Sequence, residues 1–360
     1  MDLEKVDKNF LVEHKKEDDI NFINIKEEPI KIHGLIYNDK LLRYERMNND
    51  VADSISGHLS FLNGCTSGGR IRFRTNSDKL SLKVFLDRIW GLSYFSKTQA
   101  VSFSLYVNNH FYKLFSPSKD WNKEDYSSFE STITFENKKM KDIDIYFPLY
   151  TFIKDVFVGI TNSSLIKEPK PYKYELPIVF YGSSTTQGGC ASRPGNSYDA
   201  FLSQNLKFDY INLGFSGNGK AELEMAEYIS KLPMSAFVYD YDYNAETVEE
   251  LERTHEAFFK VIRKNNPKLP IIMLPKPNDE PNKKIFKLRK EVIRKTYINA
   301  ISNEDKNVYY IDYSTLYKGF LGKSHTIDGC HPNDLGFYLM AKEIKPILSK
   351  ILKEVQKHDK

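Results

Sequence analysis

The chain lacks a long apolar run, has few cysteines and carries no marked excess of either charge, and each shortage excludes a class of protein. No stretch of its 360 residues approaches the ~18 consecutive apolar residues of a membrane-spanning helix. The N-terminus, Met1-Asp2-Leu3-Glu4-Lys5-Val6-Asp7-Lys8, lacks the apolar centre of a secretory signal. The expectation is a soluble, cytoplasmic protein with no membrane partner. Three cysteines, Cys65, Cys190 and Cys330, are too few and too scattered for a disulfide framework or a Cys-based zinc site. Reduced packing thiols are the simplest reading, with a Cys190–Cys330 pairing left open. The 52 Lys+Arg and 48 Asp+Glu are interspersed and leave a formal charge of only +4, so no basic face points to nucleic acid. Internal repeats and low-complexity tracts are also missing. What remains, 41% hydrophobic and 14% aromatic residues, is enough for globular cores, and the length suits two domains.

The two halves have different rhythms. Apolar residues alternate with period two in Arg70–Arg74, Leu80–Leu86, Val101–Val107 and Ile143–Phe147, as in half-buried strands. Turn signals such as Ser67-Gly68-Gly69, Asn108-Asn109 and Glu136-Asn137-Lys138 separate them. With no long helical period in between, residues 31–165 are expected to form an antiparallel β-sandwich of jelly-roll type, preceded by a charged arm over residues 1–30. The chain turns polar and proline-bearing at Lys167-Glu168-Pro169-Lys170-Pro171, which marks a linker over 166–176. From 177 to 360, short apolar runs (Ile178–Tyr181, Tyr210–Leu213, Ala236–Tyr239, Ile271–Leu274, Val308–Ile311) alternate with helical spacings such as Leu251, Phe258, Ile262 and Ile285, Leu288, Val292. That predicts a three-layer α/β/α domain on a parallel sheet.

In such a sheet the chemistry gathers where strands run out into loops. After the first strand comes Gly182-Ser183-Ser184-Thr185-Thr186-Gln187-Gly188-Gly189, which presents a serine at a helix start. Alone it reads equally well as a tight or phosphate-cradling turn. Asn212-Leu213-Gly214-Phe215-Ser216-Gly217-Asn218-Gly219 follows the second strand, with glycines that let backbone N–H groups approach a ligand. Asp240-Tyr241-Asp242-Tyr243-Asn244 follows the third, and Asn244 would usually be read as a helix cap. Near the C-terminus, Asp328-Gly329-Cys330-His331-Pro332-Asn333 supplies a carboxylate and an imidazole from one turn, the pair a general base needs to hold its tautomer.

In this order the four pieces resemble the SGNH (GDSL-like) hydrolase family, in its two-domain subgroup with a β-sandwich ahead of the catalytic domain. The resemblance implies a flavodoxin-like catalytic domain with Ser184 as nucleophile and Asp328 and His331 completing a triad. It makes Ser184, Gly217 and Asn244 the oxyanion-hole donors, with no metal or cofactor required. Two departures stand out. Gly-Asp-Ser is here Gly182-Ser183-Ser184, which makes Ser183 a rival nucleophile. Gly-x-Asn-Asp is here Asp242-Tyr243-Asn244-Ala245.

For the subgroup the implied activity is a carbohydrate esterase removing short acyl groups, acetyl first among them, from a small-molecule or oligosaccharide ester. Arg193 and Tyr198, on the nucleophile loop, are candidates to hydrogen-bond or stack on a sugar. Alternatives are an esterase or thioesterase on lipid-like or small aromatic esters, and an inactive glycan-binding homologue. His255 reads as a packed helix residue, His325 as at most a rim contact, and Lys283–Lys290 as a solvated helix face.

Overall fold

The computed structural model describes residues 19–91, 93–117, 126–277, 283–313, 315–319 and 323–358. In the first half the strands are β1 (Ile20–Asn24), β2 (Lys31–His33), β3 (Ile36–Asn38), β4 (Arg43–Glu45), β5 (Arg70–Thr75), β6 (Lys79–Ile89), β7 (Phe103–Val107), β8 (His110–Phe115), β9 (Ser128–Thr134), β10 (Lys141–Tyr146), β11 (Thr151–Thr161) and β12 (Ile166–Lys167). One antiparallel sheet runs β1-β11-β6-β9 and the other β12-β5-β10-β7-β8, with β2 also on β5 and β3-β4 as a separate hairpin. The alternating residues Ile71, Phe73, Leu105, Ile143 and Ile145 of one sheet meet Leu80, Leu82, Val84, Val156 and Val158 of the other in a dry core.

Three features depart from the sequence reading. Residues 20–24 are not part of an arm: they pair with β11 from Ile20↔Thr161 to Asn24↔Phe157. The remainder of the expected arm, residues 1–18, lies outside the described residues. The linker over 166–176 is partly strand, since Ile166 and Lys167 pair with β5. Three short helices interrupt the sandwich, α1 (Asn49–Ile55), α2 (Gly57–Asn63) and α3 (Lys97–Val101). Each has a side-chain N-cap, from Asn48, Ser56 and Ser96. Helices this short escape periodicity because their stability comes from capping and packing.

The second half contains β13 (Tyr174–Gly182), α4 (Ser184–Gln187), α5 (Tyr198–Leu206), β14 (Phe208–Gly214), α6 (Leu223–Ser230), β15 (Ala236–Asp240), α7 (Val248–Asn265), β16 (Ile271–Met273), α8 (Lys284–Ser302), β17 (Val308–Tyr310) and α9 (Asp334–His358). The parallel sheet has the order β14-β13-β15-β16-β17. Strand order therefore reverses between β13 and β15, and a ligand crevice belongs at their carboxyl ends. Among the described residues no helix is long and apolar enough to cross a membrane.

The two halves share a core. Met47, Leu59, Leu62, Tyr150 and Phe152 of the front domain belong to the same buried cluster as the sheet residues Ile178, Phe180 and Val238. Buried arginines cross the junction: Arg46 bonds the Gly214 carbonyl and lies over the Phe215 ring, while Arg70 bonds Asp209 and the Tyr210 carbonyl.

Candidate active site

The chain leaves β13 at Gly182, where a Cβ would stand 2.4 Å from the Asp240 carbonyl oxygen, so only glycine fits there. Ser183 then caps α4, its Oγ accepting the Thr185 N–H at 3.3 Å. Ser184 is the first residue of that turn, and its N–H is one of the donors a helix start leaves unpaired. The two serines are thus separated by role: Ser183 holds the turn, whereas Ser184 Oγ lies 3.0 Å from His331 Nε2.

His331 comes from the loop before α9. Its Nδ1 is 2.7 Å from Asp328 Oδ2, while Asp328 Oδ1 accepts the backbone N–H groups of Cys330 at 2.9 Å and His331 at 2.8 Å. Partial burial works against the carboxylate charge, but the His331 N–H, the imidazole and the Cys330 N–H outweigh it and bring the Asp328 pKa down to about 2. Asp328 is therefore ionised at every pH where an imidazole can work as a base. Asp334 ties this loop to the loop after α4 by accepting from Ser192 N–H at 2.7 Å and Asn196 Nδ2 at 2.8 Å.

Gly217 lies on the loop that follows β14, next to Ser216, whose N–H donates to Gln187 of the Ser184 turn at 2.9 Å. Its φ of +69° suits glycine, and a Cβ there would meet nothing within 4 Å. Asn218 and Gly219 donate the loop's internal bonds, both to the Phe215 carbonyl, which leaves the Gly217 N–H without a partner among the described residues. Asn244 arrives from β15, and its Nδ2 donates to the same Phe215 carbonyl at 3.1 Å, so the amide stands beside the glycine loop despite the altered flanking residues.

Several residues that set this geometry were not singled out in the sequence. Gln187 Oε1 accepts both the N–H and the hydroxyl of Ser216 at 2.9 Å, and Tyr150 of the front domain is hydrogen-bonded to that hydroxyl at 2.8 Å. Arg289 donates to Asp242 Oδ1 at 2.7 Å and to the Ala245 carbonyl at 2.8 Å, which clamps the turn carrying Asn244. The Lys283–Lys290 run is thus not uniformly solvated. The buried stripe of α8 is Arg289, Val292, Ile293, Thr296 and Ala300, whereas Ile285 and Leu288, taken in the sequence as its apolar face, are exposed. The i, i+3, i+4, i+7 spacing from Arg289 was the available signal, obscured because the first member is charged.

Of the two expected sugar contacts, Tyr198 is corrected and Arg193, half-buried, is held by the front domain. Tyr198 is fully buried, packed on Phe180 and Phe337 with its hydroxyl 3.1 Å from Asp240 Oδ2, so no sugar can stack on it. Arg193 is engaged with the front domain, donating to Tyr106 OH at 2.7 Å and covering the Phe111 ring at 3.7 Å. The ring that does stand at the site is Tyr94, 40% exposed and stacked on His331 at 6.2 Å. His325 is buried against Tyr317 instead of lying on the rim. His255 is packed as expected: it stacks on Tyr239, and burial lowers its pKa to about 3.

All three cysteines are free thiols. Burial, with the Asp328 charge behind it, pushes Cys190 up to about 12. Lys276 Nζ lies 2.9 Å from Cys330 Sγ and over the Tyr243 ring, and burial lowers its proton affinity. Among the described residues the one cluster of metal-ligand types is Asp328, Cys330 and His331, and the first and last of these are spent on each other.

Behind the nucleophile turn, Asp240 accepts from Thr186 Oγ1 at 2.9 Å and Tyr198 OH at 3.1 Å. Burial outweighs both bonds and raises its pKa to about 7, from an ordinary 3.8. The folded state then holds a proton that the unfolded chain has released between about pH 4 and 7, so this group's contribution to stability falls as pH rises through that window. Asp240→Asn is expected to flatten that part of the pH–stability curve by a few kcal/mol, at about 1.4 kcal/mol per pKa unit, in urea titrations at pH 4.5, 6 and 7.5.

The fold and site together define an α/β hydrolase-type catalytic domain with a β-sandwich in front. Residues 175–349 match the model of the GDSL-like Lipase/Acylhydrolase family, and residues 20–166 match the N-terminus of Esterase_SGNH_hydro-type. The chain belongs to the SGNH (GDSL-like) hydrolase family, in its two-domain form. A search of curated proteins found no match. Among solved structures, a GDSL-like lipase from Bacteroides ovatus ATCC 8483 is 28% identical over 93% of this chain and 98% of its own, with a TM-score of 0.81. The salicylyl-acyltransferase SsfX3 from a tetracycline biosynthetic pathway is 14% identical, at the same coverages and a TM-score of 0.74. A family two carbohydrate esterase from Clostridium thermocellum, in complex with cellohexaose, is 14% identical over 90% of this chain and 99% of its own, with a TM-score of 0.61. The last two likenesses show the fold.

Proposed function

We propose that this chain is a serine esterase that removes short acyl groups, acetyl above all, from a carbohydrate. One observation carries the reading: the chain of contacts from Asp328 through His331 to Ser184 Oγ, at 2.7 and 3.0 Å. Ser184 Oγ attacks the ester carbonyl while His331 takes its proton, and Asp328 supports the resulting imidazolium. The oxyanion is received by the Ser184 and Gly217 N–H groups and the Asn244 amide. His331 returns the proton to the leaving sugar hydroxyl, and water then cleaves the acyl-enzyme by the same base. The sugar draws support from the exposed Tyr94 ring, a flat apolar surface for a pyranose face, and from the carbohydrate esterases among the structures of like fold. A second reading, small aromatic esters, is favoured by the salicylyl-acyltransferase of like fold.

Rates on p-nitrophenyl acetate, octanoate and benzoate separate the readings. A site that binds an acyl chain gains about 0.8 kcal/mol per buried CH₂, so a lipid-like esterase prefers octanoate. The expected result is acetate turned over at least tenfold faster than either other ester, followed by release of acetate from acetylated oligosaccharides. A preference for octanoate or benzoate replaces the sugar reading, and no turnover of any ester revives the glycan-binding homologue.

A further inference from the structure

A second cavity, of about 310 Å³, lies at the junction of the two domains, at the end of the sheet opposite Ser184. Lys173, on its wall, precedes the first residue of β13, whereas Ser184 follows the last, and nine residues of strand at ~3.3 Å each separate them. Its walls come from β5, β7 and β10 of the sandwich, the segment entering β13 and the end of α5. Volume and location are those of a small-ligand site, which proteins often build where domains meet.

Its chemistry is specific. Four cations line it against two carboxylates. Arg72 is paired with Asp144 at 2.5 Å and Lys170 with Asp142 at 2.6 Å. Lys173 lies over the Tyr174 ring at 5.2 Å, and Lys207, exposed at the end of α5, feels Asp144, a carboxylate that Arg72 already holds. The lining therefore carries an excess of positive charge. Tyr146 also lines the cavity and is only 7% exposed, and no hydrogen bond to another described residue occupies its hydroxyl, which is therefore open to whatever fills the space. Tyr106 adds ring surface, and Asn109 and Gln204, from the two domains, bring amides whose nitrogens already donate to the Gln204 and Gly195 carbonyls at 3.3 and 2.8 Å and whose remaining capacity suits hydroxyl groups.

We propose that this cavity is a binding site for an anionic sugar, with Lys207 and Lys173 receiving the acidic group and Tyr146 and the amides the hydroxyls. It is separate from the esterase centre, and the proposal does not depend on the esterase reading. Binding of D-glucuronate and of D-glucose 6-phosphate to the full chain is measured by titration calorimetry, with D-glucose and inorganic phosphate alongside. At least one of the two anionic sugars is expected to bind, and the arm that binds identifies carboxylate or phosphate as the preferred acid. Glucose and phosphate should each bind about tenfold more weakly or worse, since each offers half of the recognition. Lys207→Met and Tyr146→Phe, both at unchanged thermal midpoint, should each weaken binding about tenfold, the worth of one hydrogen bond involving a charge or a buried hydroxyl. No heat with either anionic sugar overturns the site. So does binding indifferent to both substitutions. Phosphate held as tightly as glucose 6-phosphate means an adventitious ion only, and overturns it too.

Discussion

Ser184→Ala should lower ester hydrolysis by about 10⁴–10⁶-fold, and His331→Ala by a similar factor, without disturbing the fold. Both side chains sit on the surface of the crevice, so their truncation opens no core. The size of the effect follows from what they do together: without the imidazole the hydroxyl stays protonated and weakly nucleophilic, and without the hydroxyl the imidazole has nothing to deprotonate but water. Acting as a unit, they should not add. The double variant is expected to be no slower than either single one, retaining the residual rate that oriented N–H donors provide. Ser183→Ala is the internal control. It removes only a cap, at about 1 kcal/mol of local stability, and should keep most of the activity. Single-turnover measurements on p-nitrophenyl acetate distinguish the two serines directly, and a Ser183→Ala protein as dead as Ser184→Ala would sink the assignment.

The largest expected effect on stability comes from Arg70→Ala. The Arg70 side chain is fully buried, bonds the carbonyls of Gly68 and Tyr210 and the Asp209 carboxylate, receives further support from Tyr172 OH at 3.2 Å and stacks on the Tyr210 ring at 3.8 Å. His33 is the other partner of Asp209, at 2.7 Å. Removing the guanidinium leaves a mostly buried carboxylate half-neutralised and two carbonyls bare, a loss of about 3–5 kcal/mol. Arg70→Lys cannot restore the fork and should recover only part. Because much of the loss is the stranded Asp209 charge, Arg70→Ala with Asp209→Ala is expected to cost less than the sum of the two. Urea denaturation with an unchanged m-value reads this out, and strict additivity contradicts it.

Period-two alternation was sufficient to place β5, β6, β7 and β10, and short apolar runs to place all five strands of the parallel sheet, because a sheet buried on one or both faces imposes its pattern on every residue of the strand. β1 escaped because Asn21 and Asn24 flank a short apolar stretch that only its pairing with β11 makes a strand. Ser184, Gly217 and Asn244 stood out as candidates because each follows the end of a sheet strand, and Asp328 and His331 because one turn before the last helix carries both. Their supports were not. Tyr150 and Arg46 reach the Ser216 and Gly214 positions from far away in the chain, a relation that exists only after folding. Tyr198 misled because proximity in sequence to a catalytic loop says nothing about which face of a helix a ring occupies, and on α5 that face is the core.

The loop that offers the Gly217 N–H therefore rests on side chains from the other domain: the Tyr150 hydroxyl holds Ser216, Arg46 holds the Gly214 carbonyl, and Ser67 bonds the Gln187 carbonyl behind the nucleophile turn. The two domains consequently depend on each other at this loop. Exchanging the sandwich for another module would remove the floor beneath the loop that carries Gly217, and with it the supports of the proposed oxyanion site. The boundary near Pro169 marks a change of architecture, not a place where the molecule can be divided.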